Sequence, residues 1–179
     1  MAVEIEKKYR LPANRREELL QSLAGAGATP DGEDFEENIV YGGGVLDSLG
    51  AALRVRRTQD RTILTFKKRL PNVSDAKHQL EYESEVSSGE NVNNIIRELG
   101  MEPRVIYEKR RKKWRFRSVE VVVDELPFGG FVEIEGILTA IIEAELLLGI
   151  DDLEVESKTY PSLARELGSR NGTVTESRF

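Results

Sequence analysis

Charged and apolar residues alternate along one short segment after another, and this pattern limits what the chain can fold into. Residues 3–11 are an example, because Glu4, Glu6 and Lys8 occupy every second position and Ile5 stands between the two glutamates. Successive side chains of a β-strand point to opposite sides of the sheet. Each such segment therefore predicts a strand with one charged face and one apolar face.

Eight segments are predicted to be strands, with a few helices between and after them. The strands cover residues 3–11, 36–41, 52–58, 62–69, 79–86, 105–117, 119–126 and 131–135. One helix follows Asn14, which forms a capping-box pattern with Glu17, and further helices cover residues 91–99, 138–148 and 162–167. Residues 71–78 are predicted to form a polar loop and residues 168–179 a frayed tail. This content favours the α+β class, with one antiparallel sheet in a single domain spanning residues 1–179.

The charges on these strands are sorted by sign. Like-charged pairs two positions apart are basic at Arg54 and Arg56 and at Lys109 and Arg111, and acidic at Glu81 and Glu83 and at Glu133 and Glu135. On any one strand, a solvated sheet face would explain such a pair. Like charges repel, however, and solvated faces usually mix their signs. The full set therefore favours a barrel interior in which carboxylates hold metal ions while lysine and arginine hold phosphate groups.

The residue types that the chain lacks restrict its chemistry. It contains no cysteine and one histidine, His78, which excludes thiolate and histidine-rich zinc sites and a cysteine nucleophile. Carboxylates remain as charged metal ligands, and they favour Mg²⁺ or Mn²⁺. The net charge of −6 argues against a nucleic-acid partner. Neither a signal peptide nor an apolar stretch of membrane-spanning length is found, so we expect a cytoplasmic protein without a membrane partner.

The opening segment Glu4-Ile5-Glu6-Lys7-Lys8 has the pattern E-x-E-x-K, which resembles the first strand of the CYTH superfamily. Its other charged segments have counterparts here in the same order: Leu53–Arg56, Leu64–Lys67, Glu81–Glu83, Glu108–Arg111, Asp124, Gly130–Glu135 and Ser157–Tyr160. The resemblance covers roughly residues 3–168. Members of this superfamily, also called triphosphate tunnel metalloenzymes, include class IV adenylate cyclases, thiamine triphosphatases and inorganic triphosphatases.

The resemblance implies an eight-stranded antiparallel β-barrel tunnel with helices packed outside, and it assigns roles by position. It implies metal binding by Glu4, Glu6, Glu81, Glu83, Asp124, Glu133 and Glu135. It implies triphosphate binding by Lys8, Arg54, Arg56, Lys67, Lys109, Arg111 and Lys158, and catalytic roles for Glu4, Glu6, Lys8 and Lys67. The turn after Tyr41 departs from many relatives, because Gly42-Gly43-Gly44 stands where they have an aspartate and a Thr-Pro pair.

Three functions remain open on these residues. The resemblance favours a phosphohydrolase that uses Mg²⁺ or Mn²⁺ and acts on inorganic tripolyphosphate, thiamine triphosphate or a nucleoside triphosphate. A class IV adenylate cyclase, which forms cyclic AMP and pyrophosphate from ATP, would use the same tunnel. A non-catalytic module that binds polyphosphate or nucleotides is the third. The preferred metal and a monomeric or homodimeric state are undecided.

Overall fold

The computed structural model describes residues 2–70 and 77–179, with side chains described for residues 5–70 and 80–179. The side chain of Glu4 lies outside the described part. So does most of the loop predicted at residues 71–78, although residues 77 and 78 belong to the backbone of a strand.

The described chain contains ten strands and five helices. The strands are β1 (Ala2–Arg10), β2 (Thr29–Gly42), β3 (Ala51–Arg57), β4 (Thr62–Arg69), β5 (Lys77–Val86), β6 (Glu102–Phe116), β7 (Val119–Leu126), β8 (Gly129–Glu135), β9 (Ser169–Asn171) and β10 (Val174–Ser177). The helices are α1 (Ala13–Gly25), α2 (Val45–Leu49), α3 (Gly89–Glu98), α4 (Leu138–Leu148) and α5 (Tyr160–Leu167). Within the part of the chain described, none of the helices has the length and apolar character needed to cross a membrane.

Eight strands follow one another in the order β2-β3-β4-β5-β1-β8-β7-β6, and all neighbours are antiparallel. β6 also pairs with β2 along residues 102–115, which brings the two ends of this series together. The ladders on either side of β1 are short, since residues 2–6 pair with β5 and residues 6–10 pair with β8. The predicted α+β class with a large antiparallel sheet is confirmed.

Four helices cover the outer wall of this sheet through two apolar clusters. One cluster joins α1 and α4 to β1, β7 and β8, and it includes Leu19, Leu23, Val121, Ile134 and Ile141. The other joins α2 and α3 to β2 and β3, and it includes Tyr41, Leu46, Val55 and Ile96. The helices thus bury the apolar faces of the alternating strands. The charged faces are left on the inside of the curved sheet.

The last helix, α5, is an exception to the predicted outside packing. Its residues Tyr160, Leu163 and Ala164 form a buried cluster with Val105 and Tyr107 of β6. Tyr107 lines the interior cavity, and Val105 is in the same strand phase. These three residues of α5 stand at positions i, i+3 and i+4 and form an apolar stripe. The stripe therefore packs on the inner side of the sheet, against the part of β6 whose inward-facing residues are apolar.

Residues 168–179, predicted to be a frayed tail, instead form β9 and β10. β10 runs parallel to residues 105–107 of β6, on the stretch of that strand that β7 does not reach. Arg178 anchors the segment, because its Nη1 lies 2.7 Å from a carboxylate oxygen of both Glu37 and Glu108. The prediction was wrong because the groups that order this segment are distant in the sequence.

The start of α1 also differs from the prediction. The capping box of Asn14 and Glu17 is not formed, because the helix begins at Ala13 and both residues lie inside it. Pro12 occupies the N-cap position with an extended backbone, and no side chain caps the helix there. Proline is tolerated there because the N–H that it lacks would have no partner within the helix.

Candidate active site

A cavity of about 1180 Å³ lies inside the barrel and is lined mainly by charged and polar side chains. The residues expected from the sequence that line it are Glu6, Lys8, Arg54, Arg56, Lys67, Glu81, Glu83, Lys109, Arg111, Glu133 and Glu135. They meet because the period-two alternation of each strand carries its charged side chains to the same side of the sheet.

On β3, β4 and β5, cations and carboxylates pair with one another across the strands. Arg54 Nη2 lies 3.2 Å from Glu83 Oε1 and 3.7 Å from Glu81 Oε1. Lys67 also forms an ion pair with Glu81. Thr65 Oγ1 donates a hydrogen bond to Glu83 Oε1 at 2.7 Å. Thr65 stands directly between Arg54 on β3 and Glu83 on β5, so the strand register produces this network.

On β6 and its neighbours, Arg111 and Lys109 share a second set of carboxylates. Arg111 donates to both oxygens of Asp124, from Nε at 2.8 Å and from Nη2 at 2.6 Å, and Nη2 lies 2.7 Å from Glu133 Oε2. Lys109 Nζ lies 3.3 Å from Glu36 Oε2 and 3.6 Å from Asp124 Oδ2. Asp124 is 1% exposed and is not among the residues that line the cavity, so it contacts Arg111 and Lys109 on the side that faces away from the cavity.

Glu36 is a buried carboxylate among these cations that the sequence interpretation missed. Its oxygens lie 3.4 Å from Arg56, 3.3 Å from Lys109 and 3.9 Å from Arg111. Burial by itself raises the pKa of Glu36, but the cations outweigh burial and hold the pKa well below its usual value. The alternation of β2 could have identified Glu36. The adjacent Glu37 is equally acidic, however, so the sequence does not show which of the two carboxylates points inward.

Lys8 is 2% exposed and lies under the aromatic ring of Tyr160. Its Nζ is 4.0 Å from the ring centroid and 3.8 Å from Glu133 Oε1. Lys109 Nζ is 5.4 Å from the same centroid. Tyr160 belongs to α5, so the helix inside the barrel also positions two of the lysines expected to bind phosphate.

Three carboxylates stand side by side on neighbouring strands and form an acidic row. Glu135 on β8 pairs directly with Glu6 on β1 and with Glu120 on β7, and all three line the cavity. Burial and the charges of Glu120 and Glu6 raise the pKa of Glu135 to about 7. Sequence interpretation missed Glu120, because a single acid at the start of an apolar strand forms no like-charged pair.

The acidic row fits a divalent cation by its donor chemistry. Like charges at directly opposed positions destabilise a sheet, and a cation between them would remove the repulsion. Hard ions such as Mg²⁺ and Mn²⁺ take carboxylate oxygens as ligands. Among the side chains described, no three acidic groups already stand together as a metal centre. Coordination would therefore require Glu6, Glu120 and Glu135 to move towards the ion.

Lys158 is the cation of the expected phosphate set that the structure places away from the cavity. It is about half exposed and forms an ion pair with Glu166. The next two residues, Thr159 and Tyr160, line the cavity in its place. Thr159 caps α5 by accepting a hydrogen bond from the backbone N–H of Ser162, so the helix begins at Tyr160, two residues after Lys158.

Two arginines of β3 keep donor groups inside the barrel that are not hydrogen-bonded. The Nε atoms of Arg54 and Arg56 are buried, and neither makes a hydrogen bond with the described part of the chain. Arg56 Nε does lie 3.4 Å from Glu36 Oε2 as an ion pair. Buried donors in native proteins are nearly always hydrogen-bonded, so these atoms indicate a place for an anion or for ordered water.

Several solved structures share the fold of this chain. It is similar to PH1012 from Pyrococcus horikoshii OT3, with 25% identity, a TM-score of 0.78 and coverage of 89% of this chain and 98% of that one. It is similar to a candidate adenylate cyclase from Vibrio parahaemolyticus, with 18% identity, a TM-score of 0.71 and coverage of 89% and 96%. A third structure is a candidate adenylyl cyclase from Hippeastrum with a dominant triphosphatase activity, with 20% identity, a TM-score of 0.68 and coverage of 95% and 98%.

No curated protein matches the sequence. The family model of the CYTH domain, in contrast, matches residues 2–160, which include all eight strands of the barrel and the charged residues of those strands that line the cavity. The chain belongs to the CYTH family.

Proposed function

We propose that this protein is a metal-dependent triphosphatase, and that inorganic tripolyphosphate is its best substrate. The observation that carries the proposal is the set of cations that line the interior of the barrel, each held by a carboxylate. A bound triphosphate would compete for Arg54, Arg56, Lys67, Lys109 and Arg111. The unbonded Nε atoms of Arg54 and Arg56 add donors that match phosphate oxygens.

In hydrolysis, water attacks the terminal phosphorus and the rest of the phosphate chain leaves. Phosphoryl transfer needs little covalent chemistry from the protein, so positioning and charge neutralisation are the main contributions. The arginines and lysines fix the phosphate oxygens, because Asp124, Glu36 and Tyr160 already hold several of these cations in place.

We assign the metal to the acidic row of Glu6, Glu120 and Glu135, and to Glu4, which is two positions before Glu6 on β1. A divalent cation would supply charge neutralisation and would acidify a water molecule. The carboxylates themselves orient the ion and set the polarity of this end of the cavity.

Adenylate cyclase is the second candidate, since a ribose 3′-oxygen attacking the α-phosphorus would need the same cations. The cavity favours hydrolysis of an inorganic chain over this reaction. Its aromatic lining residues among those described are Tyr41, Tyr107 and Tyr160, and they are only 2%, 1% and 6% exposed. None of these rings offers an open face on which an adenine base could stack. The Hippeastrum protein, which has the same fold, has a dominant triphosphatase activity.

The test is to incubate the protein with tripolyphosphate, thiamine triphosphate or ATP, each with Mg²⁺, with Mn²⁺ or with excess chelator. Products are identified chromatographically. We expect orthophosphate release from tripolyphosphate that requires a divalent cation. Cyclic AMP and pyrophosphate from ATP would replace this assignment by the cyclase. Retention of tripolyphosphate without turnover under every condition would instead show a binding module.

A further inference from the structure

Three arginines line the cavity at the end where α5 sits: Arg104 of β6, Arg165 of α5 and Arg170 of β9. Arg165 and Arg170 lie beyond residue 160, where the match to the CYTH family ends. Arg165 and Arg170 are therefore outside the family match, and none of the three arginines belongs to the set of interior cations described above. Their place in the same cavity suggests that they meet a part of the substrate that the interior cations do not reach.

Arg104 reaches the cavity because of a β-bulge. Val40 pairs with Val105 and Tyr41 with Pro103, so Arg104 is an extra residue on β6 without a partner on β2. A bulge changes the direction of the side chain at this position. Gly42 leaves room for it, since a Cβ at Gly42 would lie 3.1 Å from Arg104 Cγ. The glycines of this turn thus leave space for Arg104, whose exposed side chain borders the cavity.

Arg170 is held at the same end by the C-terminal strands. It pairs with Thr175 of β10, and Thr175 pairs with Val105 of β6, so the three residues form one row across the sheet. Arg178 anchors β10 through its ion pairs with Glu37 and Glu108. The order of this segment gives Arg170 a defined position in the row that contains Val105, the residue that follows Arg104.

The three arginines differ from the interior cations in their partners. Arg54, Arg56, Lys67, Lys109 and Arg111 each have a carboxylate within 4.0 Å. Among the described side chains, Arg104, Arg165 and Arg170 have no such carboxylate, and Arg170 Nε donates only to the Gly172 carbonyl at 3.3 Å. All three arginines are exposed to solvent, so water solvates their charges, and no carboxylate of the described chain within 4.0 Å would compete with an anion that enters this end of the cavity.

The size of the cavity agrees with an additional group on the substrate. A volume of about 1180 Å³ is above the range of about 300–1,000 Å³ that is usual for small-molecule sites. Guanidinium groups match phosphate oxygens with paired donors, and the hydroxyls of Thr173 and Thr175 line the same region. The chemistry at this end therefore suits phosphate better than a base or an apolar group.

We propose that Arg104, Arg165 and Arg170 form a second anion-binding subsite, which takes the fourth and later phosphates of an inorganic polyphosphate chain. This inference rests on the proposed function, because it assumes that the first three phosphates lie among the interior cations. Chains longer than three phosphates then bind more tightly than tripolyphosphate, and the difference depends on these arginines.

The test compares dissociation constants of tripolyphosphate and tetrapolyphosphate, measured by calorimetry in excess chelator so that neither is hydrolysed. In the native protein we expect tetrapolyphosphate to bind about tenfold more tightly. The double variant Arg165→Gln, Arg170→Gln should lose this preference, while its affinity for tripolyphosphate changes by less than about twofold. Arg104→Gln should reduce the preference by itself.

Arg97→Gln is the matched control. Arg97 and Arg165 are both exposed basic residues in the last turn of a helix, but Arg97 does not line the cavity. Its substitution should leave the preference for the longer chain unchanged. Equal affinities for the two chains in the native protein would overturn the second subsite and leave the triphosphatase proposal intact. Failure of the native protein to bind either chain would overturn both the subsite and the triphosphatase proposal. If Arg97→Gln lost the preference for tetrapolyphosphate to the same extent as the double variant, general surface charge would explain the preference, and the subsite would be overturned.

Discussion

Arg111 donates hydrogen bonds to both carboxylate oxygens of Asp124, at 2.8 and 2.6 Å, inside a barrel wall where Asp124 is almost completely buried. The resemblance placed Asp124 among the metal ligands. Its geometry favours a different role, because both oxygens are already engaged by a guanidinium group. We therefore expect Asp124 to orient Arg111 towards the substrate, and the carboxylates of the acidic row to bind the metal.

Asp124→Asn should separate these two roles. The substitution removes the charge that fixes Arg111, so we expect kcat/KM for tripolyphosphate to fall about ten- to hundredfold. The Mg²⁺ or Mn²⁺ concentration for half-maximal activity should stay unchanged. Breaking a buried ion pair costs about 3–5 kcal/mol, so the fold of the variant is checked by thermal unfolding. A marked rise in the metal requirement of the folded variant would restore Asp124 as a metal ligand.

Glu120→Gln tests the acidic row. If Glu120 helps to hold the metal with Glu135 and Glu6, the metal concentration for half-maximal activity should rise roughly tenfold or more. Glu125→Gln on the same strand is the control, because Glu125 pairs with Arg110 and Arg16 at the outer surface. Activity should be titrated with each metal in both variants. A similar response of the two variants would exclude Glu120 from the metal site.

Arg56→Ala tests phosphate binding by the interior cations. Loss of one charge-assisted contact, worth about 1.5–3 kcal/mol, should lower kcat/KM for tripolyphosphate about ten- to hundredfold. ATP binding should weaken similarly, because the phosphate chain is the part that both ligands share. Arg57→Ala is a close control, since Arg57 is the next residue, points to the other face and is 43% exposed. Comparable losses in the two variants would argue against a functional interior.

Lys109 should make activity fall at alkaline pH. Burial and the neighbouring Arg111 lower the pKa of Lys109 to about 8, although Asp124 and Glu36 oppose the shift. Only the protonated amine attracts phosphate, so kcat/KM for tripolyphosphate should decline as the pH rises through about 8. Lys109→Arg keeps its charge at these pH values and should remove the decline. A pH profile with the same alkaline limb in both proteins would assign that limb to another group.

Arg178→Gln tests the anchoring of the C-terminal strands. Glu37 and Glu108 stand opposite each other on β2 and β6, and Arg178 lies between their charges. Without it the two carboxylates repel each other, so hydrogen exchange at residues 174–177 should become faster. The cost in global stability should be about 1 kcal/mol or less, because these groups are partly exposed. Unchanged exchange in this segment would show that strand pairing alone orders it.

The alternating pattern of the strands predicted much of the fold and of the site. Pairs such as Arg54 and Arg56, or Glu133 and Glu135, reach the cavity because a strand repeats every two residues, and this rule is local. The same rule did not identify two of the carboxylates that line the cavity. Glu36 stands next to an equally acidic residue, and Glu120 has no acidic partner two positions away, so neither was recognised.

The remaining features depend on contacts between residues far apart in the sequence. Strand register placed Glu120 beside Glu135 and Asp124 beside Arg111, and it determined which carboxylates face a cation and which face one another. Packing of α5 against the inner wall and ordering of the last twelve residues by Arg178 likewise required distant partners. The sequence by itself determined which side chains could face the interior, because that follows from backbone periodicity. Tertiary structure decided their partners, because a pKa or an ion pair depends on which strands become neighbours.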